Sequence, residues 1–228
     1  MNEVAAIVEG PTEEAFVRGI LAPHLTLKGI SLWATLPGHP RRQGGVPRWE
    51  LARKDIMRTL KERDGRYVTT MFDFFRMPPG WPGRVEASAK PWNQIGQVVE
   101  KALLDDVSEH MGDDFRTERF IPYVQVHEFE AVLFSDVEKL SSVLSVVPGV
   151  SAKSLKDKLQ RIVDRAENPE AIDDCPATAP SKRILSLAPG YSKRQHGPIA
   201  ARSIGLPTMR AACPNFNQWL SRLEEIGR

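Results

Sequence analysis

Two cysteines, Cys175 and Cys213, are all that the 228 residues contain, and neither sits in a CxxC pair. A disulfide framework and a cysteine-bound zinc module are therefore excluded, and a reducing compartment, by default the cytoplasm, is expected. No apolar run approaches the roughly 20 residues of a membrane-spanning helix, so no membrane association is expected. The opening MNEVAAIVEG has no basic n-region and meets Glu9 too early for a secretory signal. Three catalytic patterns are missing as well. GxxxxGK[ST] and GxSxG do not occur, and Ala131 takes the place of the second histidine that HExxH requires. These absences exclude an intrinsic P-loop ATPase, a serine-hydrolase elbow and a zincin.

The last absence is local. Net charge is only +2, yet no acidic residue lies between Asp174 and Glu224. Lys182, Arg183, Lys193, Arg194, Arg202, Arg210 and Arg222 give that stretch +7, leaving 24 basic against 29 acidic residues, or −5, elsewhere. Two readings are open. Clustered cations displace counterions from a polyanion such as nucleic acid, or they pair with acids that the fold brings near.

What is present is an alternation of short apolar runs and longer amphipathic ones. Val4–Val8 is a continuous apolar run ended by Glu9-Gly10-Pro11, as in a buried parallel strand. Thr12 then reads as a helix N-cap, with Glu13 and Glu14 in the first turn and Phe16, Val17 and Ile20 on the apolar face. Further strands are expected over Ile30–Leu36, Tyr67–Phe72 and Phe120–Val126. Helices are expected over Trp49–Arg63, Gln94–Leu104, Ala131–Val146, Ser151–Arg165 and Phe216–Ile226, the last with its apolar stripe as core. The loop from Phe74 to Trp92 is rich in Pro, Gly and aromatics. Its Phe74, Phe75, Trp81 and Trp92 either close the loop hydrophobically or stack on bases. The pattern predicts an α/β fold, a Rossmann-like and mainly parallel sheet flanked by helices, with a helical C-terminal extension. The core is expected over residues 1–135, and the extension over 136–228, packed on that core.

In parallel sheets functional groups gather at the carboxyl ends of the strands. Three of the four expected strands end in acid: Glu9 after the first, Asp73 after the third, Glu128 and Glu130 after the fourth. Glu13 lies one helical turn beyond Glu9. Carboxylates converging on one edge repel one another unless a cation holds them, and hard oxygen donors favour Mg²⁺ or Mn²⁺. The alternative is that single acids here merely cap helices. Arg41, Arg42 and Arg48, in a glycine-bearing loop, either track a phosphate backbone or are simply solvated.

These residues carry a family resemblance. Glu9-Gly10-Pro11-Thr12-Glu13 directly after a buried strand resembles the EGxTE signature of TOPRIM domains, especially those of OLD-family nucleases, and Asp73 matches the first aspartate of the TOPRIM DxD motif. His127-Glu128-Phe129-Glu130-Ala131, Thr178-Ala179-Pro180-Ser181-Lys182-Arg183 and Cys213-Pro214-Asn215-Phe216 extend the resemblance to a prokaryotic family of uncharacterised TOPRIM-like proteins over nearly the whole chain. The resemblance implies a Mg²⁺-dependent (or Mn²⁺-dependent) site hydrolysing DNA or RNA phosphodiesters. Its metal would be bound by Glu9, Glu13, Asp73 and Glu128 or Glu130. It also implies a separately encoded ABC/AAA-type ATPase partner, often in anti-phage defence. Lys193, after the turn-like Pro189-Gly190-Tyr191-Ser192, resembles in order the late lysine of OLD-type nucleases. It would neutralise charge on the reacting phosphate, with Lys182, Arg183 and Arg194 holding nucleic acid. One position departs from the pattern: Phe75 stands where the second DxD aspartate belongs. Phenylalanine cannot bind a metal, so a catalytically inactive binding or regulatory subunit of an ATPase complex is the rival reading. A phosphatase or nucleotide hydrolase using the same carboxylates is a third.

Overall fold

A computed structural model describes residues 1–38, 45–148, 150, 152–172 and 178–227. The chain divides into two compact units, Met1–Val126 with Trp219–Arg228, and His127–Gln218. The last ten residues group with the first unit.

The first unit is built on a parallel sheet of β1 (Asn2–Val8), β2 (Ile30–Thr35), β3 (Tyr67–Asp73), β4 (Phe120–Ile121) and β5 (Val124–Gln125). The order is β2-β1-β3-β4, with β5 also pairing β3. β1 lies between β2 and β3, and Val4 to Val8 are fully buried. A strand covered on both faces needs no polar alternation, which is why its sequence is a continuous apolar run. The single expected strand Phe120–Val126 is two short ones, because Pro122 between them has no N–H to give to a ladder. Thr70 fills the gap: its Oγ1 accepts the Tyr123 N–H and donates to the Tyr123 carbonyl, both at 3.0 Å.

Helices cover both faces. α3 (Trp49–Glu62), the short α4 (Arg84–Ala87) and α5 (Trp92–Met111) pack Ile56, Leu60, Val99 and Leu103 onto Ala5, Ile7, Val68 and Phe72. On the opposite face of β3, Thr69 Oγ1 accepts the Trp219 indole N–H at 2.8 Å, and the Trp219 ring stacks on Tyr123 at 4.3 Å. Arg119, itself buried, donates to the carbonyls of Leu60 and Arg63 at the end of α3, satisfying acceptors that a helix C-terminus leaves open.

The first helix departs from expectation in two ways. Gly10, not Thr12, is its N-cap, because Pro11 occupies the first helical position, where a missing N–H costs nothing. Between α1 (Pro11–Phe16) and α2 (Ala22–Thr26) the backbone widens into a π-turn, Val17–Leu21. There the Ala22 N–H reaches the Val17 carbonyl, one residue further back than in an α-helix. Pro23 follows at once, with no N–H and a ring that crowds the preceding turn, and the wider turn accommodates it. The apolar stripe consequently passes through Leu21 and Leu25 instead of Ile20.

The second unit is helical: α6 (Val137–Ser145), α7 (Ala152–Val163), α8 (Pro180–Leu187), α9 (Lys193–Ile204), α10 (Leu206–Ala212) and the start of α11 (Pro214–Glu225). The expected helix Ala131–Val146 is a 3₁₀ segment, Phe129–Ser135, followed by α6. Asp136 separates them, because its extended backbone and its carboxylate, accepting the Lys139 N–H at 3.0 Å, start a new helix. Among the described residues no helix is long and apolar enough to cross a membrane.

Candidate active site

In the first unit the parallel register pairs Val8 with Met71, and the Glu9 N–H continues the ladder to the Met71 carbonyl at 3.1 Å. Glu9 therefore leaves β1 beside Asp73, the last residue of β3. The Asp73 N–H donates to Glu9 Oε2 at 3.3 Å, and both side chains are buried, at 6% exposure each. Glu13, in the first turn of α1, is also buried. The strand-end acids Glu9 and Asp73 are thus brought together. Arg76, which the sequence reading missed, adds a cation: its Nε lies 3.4 Å from Glu9 Oε1. It follows Asp73 by one 3₁₀ turn, Phe74–Arg76, and only the strand register shows that this turn faces Glu9.

Phe75, at the place of the second aspartate, is 46% exposed. Of the other aromatics in that loop, Trp92 is half-buried. Phe74 and Trp81 are buried, Trp81 against Trp49 and Phe72, so neither is presented to a base. The Arg84 guanidinium sits 3.9 Å over the Phe74 ring, and its burial lowers its pKa.

In the second unit three separated sequence segments meet. Glu128 and Glu130 come from the segment that opens the unit, Ser181 from the first turn of α8, Tyr191 from the turn before α9 and Lys193 from its first residue. Lys193 Nζ donates to Glu128 Oε1 at 3.0 Å and to Glu130 Oε2 at 2.9 Å. The other two carboxylate oxygens are also engaged: Glu128 Oε2 accepts the Ser181 N–H at 2.9 Å, and Glu130 Oε1 accepts the Tyr191 hydroxyl at 3.3 Å. Burial alone would raise Glu128, but the Lys193 charge and the Ser181 N–H hold its pKa below the ordinary value. Glu130 is 1% exposed, and there burial wins over Lys193, so its pKa is raised. Burial works to lower Lys193, and the two glutamates overcome it and raise its pKa. Burial and the nearby Glu130 push the Tyr191 phenol up, so it stays protonated and donates to Glu130.

The cations expected to meet nucleic acid divide as follows. Lys182 and Arg194 are exposed, each next in sequence to a Glu128 partner, Ser181 and Lys193 respectively. Arg183 is half-buried, its Nε donating to the Thr178 carbonyl at 2.7 Å. Arg48 is exposed at the N-cap of α3, whereas Arg41 and Arg42 lie outside the described residues. Glu170, also missed, accepts the N–H groups of Asn215 and Phe216 at 2.9 Å, which makes the Cys-Pro-Asn-Phe segment a helix start held by a buried carboxylate. Cys213 is buried, its thiol pushed up to about 12 by burial, then by Glu170, with Ser135 opposing. It is not a nucleophile. Among the described residues no three His, Cys, Asp or Glu side chains are grouped so as to hold one metal ion.

The model of a family described as "Domain of unknown function (DUF4276)" matches residues 8–224. No curated protein matches the chain. Among solved structures, the chain is similar to the C-terminal region of the Burkholderia pseudomallei OLD protein, at 15% identity and a TM-score of 0.53, over 100% of this chain and 98% of that one. It is also similar to the C-terminal region of the Xanthomonas campestris pv. campestris OLD protein phased with platinum, at 16% identity and a TM-score of 0.50, over 98% and 92% of the two chains. At such identities the likeness is one of fold.

Proposed function

The chain belongs to the DUF4276 family, and we propose that it is a Mg²⁺-dependent, TOPRIM-like nuclease that hydrolyses nucleic-acid phosphodiesters as the effector of an ATPase-coupled prokaryotic anti-phage defence system. The observation that carries this reading is the hydrogen bond from Asp73 N–H to Glu9, two buried acids at the carboxyl ends of neighbouring parallel strands. Like charges buried side by side are costly unless cations accompany them; Arg76 is one, 3.4 Å from Glu9 Oε1, and the proposed ion is a second. The fold shared with C-terminal regions of OLD proteins and the EGPTE segment support the same reading.

Glu9, Asp73 and Glu13 are oxygen donors. Mg²⁺ is commonly held by one or two carboxylates, with water and substrate phosphate completing its shell, so a two-carboxylate pair fits it. When bound, such an ion supplies Lewis-acid polarisation of a phosphate and a more acidic water. The chain's own part is to hold and orient. Lys193 supplies fixed positive charge for the reacting phosphate, and Lys182, Arg194 and Arg48 track the backbone as exposed cations. Arg183, Arg41 and Arg42 complete the proposed nucleic-acid set. ATP hydrolysis is assigned, as part of the same proposal, to a separately encoded ABC/AAA-type partner, the role that the family resemblance implies.

A second reading, an inactive TOPRIM-fold subunit that binds and regulates such an ATPase, is favoured by the exposed phenyl ring of Phe75. One comparison separates the two. Wild type and Glu9→Gln are assayed with the cognate ATPase for both nucleic-acid cleavage and complex formation. The nuclease reading expects wild type to cleave weakly alone and strongly with its partner. It expects Glu9→Gln to lose about 100-fold or more, corresponding to the several kcal/mol that a metal ligand supports, with the complex retained. A fully active Glu9→Gln protein would sink it.

A further inference from the structure

We infer that the Glu128–Glu130 pair is a lysine site and not a divalent-cation site, so that the Lys193 ammonium carries the positive charge that a second metal ion would otherwise bring. The inference rests on the proposed hydrolase for its consequence, a one-ion requirement, but its geometry is independent of that reading.

All four oxygens of the pair already have a partner. Lys193 Nζ bridges Glu128 Oε1 and Glu130 Oε2, the Ser181 N–H holds Glu128 Oε2, and the Tyr191 hydroxyl holds Glu130 Oε1. A Mg²⁺ ion needs oxygens at about 2.1 Å in near-octahedral array and gives up water reluctantly. To enter here it would have to displace the ammonium, or sit as a dication beside it in a buried setting where like charges repel strongly. The ammonium is not easily displaced. Lys193 is the first residue of α9, with its backbone set by the turn and helix that follow. Glu130, at 1% exposure, needs a counter-charge to remain ionised, and Lys193 is the cation in contact with it.

An ammonium has three N–H donors. Two are engaged by the glutamates, and among the described residues the third has no partner, so it is left for a phosphate oxygen.

The test is the number of Mn²⁺ ions bound per full-length chain, measured by electron paramagnetic resonance titration on wild type, Glu128→Gln and Lys193→Ala. Folding of each variant is checked by circular dichroism. The expected results are an unchanged number for Glu128→Gln and one additional ion for Lys193→Ala, whose two carboxylates lose their built-in cation. A lower number for Glu128→Gln, or no gain for Lys193→Ala, would overturn the inference. Should Lys193→Ala not fold, Glu128→Gln decides. The wild-type number itself addresses a different claim: zero would end the metal reading at Glu9 and Asp73, while the differences between variants still judge the lysine site.

Discussion

Lys193 Nζ stands 2.9 Å from Glu130 Oε2, so an ammonium at the start of one helix neutralises a carboxylate that the rest of the second unit has buried. The pairing accounts for the behaviour of the whole cluster. Glu128, partly open to water, stays ionised under the pull of Lys193 and Ser181, while Glu130 has its pKa raised by burial although it shares the same ammonium. The two acids, one residue apart in the chain, are separated in strength by their surroundings.

A pH dependence follows from Glu128. Its folded pKa lies below its unfolded value, so between the two the unfolded chain binds more protons. The stability it contributes is complete above the ordinary glutamate value of about 4.3 and is lost as pH falls through the folded pKa. Thermal melts of wild type should therefore fall more steeply below about pH 4.3 than those of Glu128→Gln, which has no such group to titrate. Parallel melting curves for the two proteins in acid would contradict this.

Trp219 ties the last ten residues to the first unit through the bond to Thr69 and the stack on Tyr123. Trp219→Ala should cost about 3–5 kcal/mol, the range for deleting a large buried aromatic. Trp219→Phe, which keeps most of the stack and loses the indole N–H, should cost about 1–3 kcal/mol by leaving the buried Thr69 hydroxyl a donor short. Urea unfolding of both variants measures this, and a cost below 1 kcal/mol for Trp219→Ala would refute the anchoring role.

Gly83 is required twice over. Its φ of +72° is left-handed, and a Cβ there would lie 2.9 Å from the Ala102 Cβ and 3.0 Å from the Val98 carbonyl oxygen on α5. Strain and overpacking together should make Gly83→Ala less stable by about 2–4 kcal/mol. Gly65, also at positive φ but with nothing within 4 Å, should show only the smaller conformational part, about 1 kcal/mol, in the same urea experiment.

The proposed nucleic-acid binding should weaken with salt. Lys182→Ala and Arg194→Ala remove exposed cations bordering the Glu128 cluster, and each should reduce the slope of log affinity against log salt by about one. Fluorescence anisotropy at several salt concentrations reads the slope. A slope that stays the same in the double variant would remove this face from the binding surface.

Much of this protein was legible in its sequence, wherever the deciding interaction was local. The apolar run Val4–Val8 implies a strand buried on both faces whatever surrounds it, and β1 and β3 end within a residue of where their acids stand. The placing of Glu9 and Asp73 at neighbouring strand ends followed from the rule that parallel strands present their carboxyl ends together. Local signals in competition were less readable. Pro11 displaced Thr12 from the cap, Pro23 widened a helical turn, and the short helices α8, α9 and α10 contain prolines that read as breaks. Tertiary structure alone decided the rest. Lys193 and its two glutamates are 63 and 65 residues apart, and nothing in either segment announces the other. Composition showed one stretch without acids, but that Lys193 of this stretch meets Glu128 and Glu130 is set only by the packing of α9 against the segment that opens the second unit. Trp219 was likewise readable as core, because its helical spacing is local, while the core it joins was set by Thr69 and Tyr123, which lie far away along the chain.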